Sequence, residues 1–158
     1  MMPESWYPFF DAAEQTMLGV AVRESIYAFP LIEAMHLVAL CVMGGALLVV
    51  DLRLLGFAMN DQAISTLAVS ARRWLIAALV VMLGTGVLLF LSEAIKCFYN
   101  TAFWVKIITL PFAIAFTFGV RERLVGGLET GPKSRLLGVT SIALWFVVAA
   151  AGRWIGFS

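Results

Sequence analysis

The stretch SIYAFPLIEAMHLVALCVMGGALLVVDLRLLG, Ser25 to Gly56, decides how the chain must be read. It holds one continuous apolar run and the only histidine of the sequence. Its charges sit toward the ends, Glu33 and His36 at one, Asp51 and Arg53 at the other. The hydrocarbon core of a bilayer is about 30 Å thick, so about 20 apolar helical residues cross it. Pro30 suits a first helical turn, where no N–H partner is needed. His36 then lies about 9 Å further in, at about 1.5 Å of rise per residue. An ionisable side chain at that depth is costly and marks a functional-site candidate.

The composition agrees. The 158 residues are 62% hydrophobic and 13% charged, with a mean hydropathy of +0.96. A soluble domain carries about 25% charged residues. The length allows several spans with short loops and excludes a separate soluble domain. A net charge of +1 gives no argument for nucleic acid. Cys41 falls mid-span and Cys97 near a helix end, so a disulfide between them is not expected. MMPESWYPFF has neither a positive n-region nor a small-residue cleavage site, so no cleaved signal peptide is expected.

The predicted architecture is all-α, a single membrane domain built as a four-helix bundle. Residues 5–22 read as one amphipathic helix, with Trp6, Phe10, Ala13, Met17 and Val20 on one side and Asp11, Glu14 and Gln15 on the other. It is too polar to span, and is expected to lie in the interface or pack over the mouth of the bundle. Spans follow at about 29–50, 74–94, 102–120 and 136–154. A second surface helix is expected around Gln62 to Ser70, and Pro111 is expected to kink the third span.

Loop charges predict the orientation. Arg53, Arg72 and Arg73 lie between spans one and two, and Arg121, Arg123, Lys133 and Arg135 between spans three and four. The other side has only Arg23, among Glu4, Asp11, Glu14 and Glu24, and Lys96. A multi-pass protein of the bacterial inner membrane, both termini periplasmic, is the expectation. The small residues Gly138, Ser141, Ala149 and Gly152 on span four predict a homo-oligomer through close helix contact.

With alternating helix directions, Glu33, His36, Glu93, Lys106 and Arg153 fall near one boundary. Met43 and Gly44 continue the His36 face. A buried polar network that fixes packing is one reading. The favoured one is haem b or another redox metal bound through His36. Lys106 and Arg153 then hold anionic propionates, and a glutamate orients the imidazole. One histidine suffices for one axial bond, whereas copper or zinc wants several converging donors. Gly44, Gly45, Gly84 and Gly86 either clear room for a macrocycle or let helices approach. At the opposite end, Asp51, Arg53, Arg72 and Arg73 read as an interfacial anchor with an ion pair, and Trp145 as packing.

Arg23-Glu24-Ser25, Pro30, Glu33, His36, Asp51-Leu52-Arg53-Leu54-Leu55-Gly56, Thr85-Gly86 and Phe103-x-x-Lys106 resemble a group of small bacterial inner-membrane proteins of unknown function. The resemblance covers nearly the whole chain and implies a four-span bundle. More remotely, the histidine and Phe-x-x-Lys are similar to the membrane domain of copper-resistance D proteins. Those chains have more spans and a methionine-rich copper tract that this one lacks. Neither group supplies a catalytic residue. Electron transfer or sensing, with a redox partner, is the expected role. A metal-ion or small-solute transport module, or a structural membrane subunit without cofactor, is the alternative.

Overall fold

A computed structural model describes residues 4–157. The reading of no cleaved leader rests partly on residues 1–3, which lie outside the described residues. Helices α1 (Tyr7–Glu14) and α2 (Met17–Glu24) precede two long ones, α3 (Ala28–Leu55) and α4 (Ile64–Ser92). A short α5 (Ala94–Tyr99) leads into α6 (Thr101–Ala115), a π-turn (Phe116–Arg121) and α7 (Glu122–Val125). Helix α8 (Pro132–Ile155) completes the bundle. The described residues contain no strand.

Four helical segments, 28–55, 64–92, 101–125 and 132–155, are long and apolar enough to cross a membrane. Their outward side chains are apolar as well: Val38, Val80, Phe112 and Phe146 are all at least 64% exposed. Water would penalise such a surface, and lipid does not. Helix α3 packs against α4 and α8, and α8 against α6. The core is layered from Ala39, Met43, Leu47, Leu75, Met82, Ala113, Trp145 and Val148.

Three expectations change. The segment 5–22 is two helices, because Thr16 breaks it. Its hydroxyl accepts from the Gly19 N–H at 3.2 Å and caps α2. Both helices fold over one end of the bundle. Phe10 is 3% exposed among Phe90, Phe98, Phe103 and Trp104. A Cβ on Gly19 would stand 2.4 Å from the Leu91 carbonyl oxygen, so only glycine lets α2 lie this close to α4.

The surface helix around Gln62 to Ser70 is instead the first turns of α4, which runs unbroken from Ile64. The small-residue face of α8 is consumed inside the chain. A Cβ on Gly138 would meet the Asp51 carbonyl at 3.1 Å, Ser141 is buried, and Gly152 lies under Lys106. Those three positions are therefore not open to close contact with another copy. Pro111 sits inside α6, and α-geometry gives way further on, in the π-turn.

Candidate functional site

Polar side chains gather at both ends of the bundle. At the histidine end, His36 projects from α3 onto α4. Its Nδ1 is 2.8 Å from the Thr85 hydroxyl. That hydroxyl donates its single proton to the Val81 carbonyl at 2.7 Å, the i−4 bond a helical threonine commonly makes. With its proton on that carbonyl the hydroxyl accepts from the ring, the arrangement of the tautomer that carries its proton on Nδ1 and its lone pair on Nε2. Gly86 lies against the same ring, where a Cβ would be 3.5 Å from Cε1. The ring is half-buried, and the Lys106 ammonium from α6 lies within its electrostatic range. Lys106 extends across Gly152, whose Cβ would stand 3.3 Å from Nζ.

The remaining predicted site residues are distributed differently. Glu33 is exposed, and Thr85 rather than a glutamate orients the imidazole. Glu93 ends α4 and faces Lys96 at 3.9 Å. Arg153 points outward, its guanidinium 4.2 Å above the Phe157 ring. Met43 is 2% exposed in the apolar core. A Cβ on Gly44, Gly45 or Gly84 would meet nothing within 4 Å, so these glycines hold no neighbour close. Of the predicted set, His36 and Lys106 are brought together.

Two further features of this end were not legible as site elements. Glu14 accepts from the Ile95 N–H at 2.7 Å, capping α5, and pairs with Arg23 at 2.9 Å. Helices α1 and α2, which form a lid over this end, are thereby tied to the connection between α4 and α6. Cys97 lies beneath the lid, and burial, with the Glu93 carboxylate adding to it, pushes its thiol up to about 11.

At the other end the network is closed. Arg121 donates to Asp51 at 2.7 Å and to Ser141 at 3.2 Å, and Ser141 donates to the second Asp51 oxygen at 2.7 Å. All three are at most 2% exposed. One turn away, the Trp145 indole donates to Thr117 at 2.9 Å. The expected pairing of Asp51 with a neighbouring loop arginine is thus replaced. Arg53 donates to the Gln62 carbonyl and the Thr130 hydroxyl, and Arg72 pairs with Glu122.

The π-turn explains the geometry. Ala113, Thr117, Arg121 and Val125 are buried at every fourth residue. An α-helix at about 3.6 residues per turn drifts about 40° in four residues, and wider π-turns reduce the drift.

Residues 9–158 match a family of unknown function. The chain belongs to DUF6644. The match covers both polar ends, so the histidine site and the Asp51–Arg121 network lie within the DUF6644 region. No curated protein matches the chain, and no solved structure does. The likeness to copper-resistance D proteins finds no support. Among the described residues no three His, Cys, Asp or Glu side chains converge as a metal site.

Proposed function

We propose that this membrane protein binds haem b through His36, for one-electron transfer or redox sensing. The observation that carries the reading is the hydrogen-bond chain from Nδ1 through Thr85 to the Val81 carbonyl. Metal-ligating histidines almost always donate their other N–H to a carboxylate, a backbone carbonyl or water, and the Thr85 hydroxyl would take that place here, orienting the ring and presenting Nε2. A bare ion would find a single nitrogen here, whereas a porphyrin brings four nitrogens and needs one axial bond.

This donor set fits haem. When bound, the haem supplies the one-electron chemistry. The chain's own residues do the rest: Thr85 holds the ring, and Lys106 offers a cation to a propionate. Arg153, at the same end, can turn from Phe157 to a second propionate. The lid of α1 and α2 screens the aromatic layer beneath it from water. Glu33, Glu93, Met43 and Gly44 have no contact with haem in this reading.

The loop arginines and lysines support an inner-membrane placement with the histidine end and both termini on the periplasmic side. A periplasmic redox partner would then meet the haem end. The test is expression with haem supplied, followed by a visible spectrum of the purified protein. A Soret band that His36→Ala abolishes supports the reading. A wild type without one overturns it and leaves His36 as a packing element.

A further inference from the structure

We propose that the cleft at the arginine end is a binding site for a phosphate-bearing anion. The cleft is an open groove of about 400 Å³ between the start of α4 and the loop joining α7 to α8. Arg53, Ser65, Gly126, Gly127, Glu129 and Thr130 line it. The case does not depend on haem binding.

Arg53 is the main observation. It is 9% exposed, yet no carboxylate lies within ion-pair distance of it among the described residues. Its Nε and Nη1 are used on neutral oxygens, the Gln62 carbonyl at 2.7 Å and the Thr130 hydroxyl at 2.6 Å. These bonds hold the guanidinium plane fixed but leave its charge uncompensated. Buried charges are ordinarily paired. Arg121, the other buried arginine at this end, has its acid in Asp51.

The cleft wall is suited to the missing partner. Ala63, at the cap position of α4, has no side-chain oxygen to cap the first-turn N–H groups beside Arg53. Those groups and the dipole of a 29-residue helix favour negative charge. Gly126 and Gly127 put no side chain in the way, since a Cβ on either would meet nothing within 4 Å. A planar guanidinium beside N–H donors recognises tetrahedral phosphate oxygens well. Glu129 is the opposing charge on the rim, and it is exposed.

The probes are inorganic phosphate and lipid vesicles, applied to the purified full-length protein. Gly127→Asp places a carboxylate in the cleft without touching the Arg53 hydrogen bonds, and the open space there accepts the side chain. Phosphate, against chloride at equal ionic strength, should raise the unfolding temperature of the wild type. Gly127→Asp should weaken phosphate binding at least 10-fold with an unchanged helical spectrum, and Glu129→Gln should strengthen it. Displacement of phosphate by phosphatidylglycerol vesicles, and not by phosphatidylcholine ones, identifies a lipid headgroup as the source. Phosphate binding without such displacement identifies a soluble phosphate. If neither phosphate nor phosphatidylglycerol distinguishes wild type from Gly127→Asp, the cleft is not an anion site. Arg53 then serves only to join two loops.

Discussion

The Asp51–Arg121 network and the histidine site differ in what they leave unfinished. Around Asp51, Arg121 and Ser141 every charged group has its partner and water is excluded. Around His36 one ring nitrogen is committed to Thr85 and the other keeps its lone pair, half-buried and beside a cation. Both carry ionisable groups within apolar helices, which are costly wherever they occur. The comparison teaches that such a cost singles out a candidate for function when a donor or acceptor is left over. Where everything is satisfied, it marks architecture.

Breaking the closed network should have the largest effect. Arg121→Met leaves Asp51 buried without its cation, and the loss should be about 3–5 kcal/mol. Adding Asp51→Leu removes the stranded charge, so the double variant should be more stable than the single one. Unfolding in mixed micelles measures both. Equal instability of the two would mean that the pair itself, rather than the stranded charge, holds the helices.

The lid comes next. Phe10→Ala empties the centre of the ring cluster at the histidine end and should cost about 3 kcal/mol. The loss should appear as faster proteolysis and amide exchange in α1 and α2 while the long helices stay protected. Protection lost equally throughout would show that this end is no separate unit.

Thr85→Val tests the open end by a smaller change. Losing one hydrogen bond should lower stability by about 1 kcal/mol. The same variant should weaken haem retention by about 10- to 100-fold, because the ring loses the group that orients it. Retention like that of the wild type would detach Thr85 from the site.

The smallest effect concerns Cys97. Its thiol is raised to about 11, so the thiolate is scarce at pH 8 and accumulates only as pH approaches that value. Iodoacetamide should react slowly at pH 8 in the folded protein and rapidly after denaturation. Phe10→Ala, by opening the lid, should speed the folded-state reaction. Rapid alkylation of the folded wild type would contradict the burial.

The spans were legible because length and hydropathy alone dictate them, and the four long helices fall where the apolar runs do. The polar ends were legible only in part. Helix alternation predicts that His36 and Lys106 share an end, and they do. Arg121 read as a loop charge, because the π-turn that brings it inward has no clear signature in FTFGVR. Thr85 read as part of a resemblance. Its role depends on which residue of α4 faces His36, and an apolar helix without a polar stripe does not declare its face. The break at Thr16 was open to view, since a threonine three residues before glycine can cap a helix, but the amphipathic pattern runs through it. Gly138 and Gly152 showed only that something approaches closely, not whether it belongs to the same chain.

The central claim is that Nε2 of His36 is an iron ligand. Haem titrated into the purified apoprotein, wild type beside His36→Ala, tests it most directly. The account predicts saturation at one haem per chain with a sharp, shifted Soret band for the wild type, and only the broad spectrum of free haem for His36→Ala. A wild-type spectrum that never departs from free haem, or an identical Soret shift in both proteins, would contradict it.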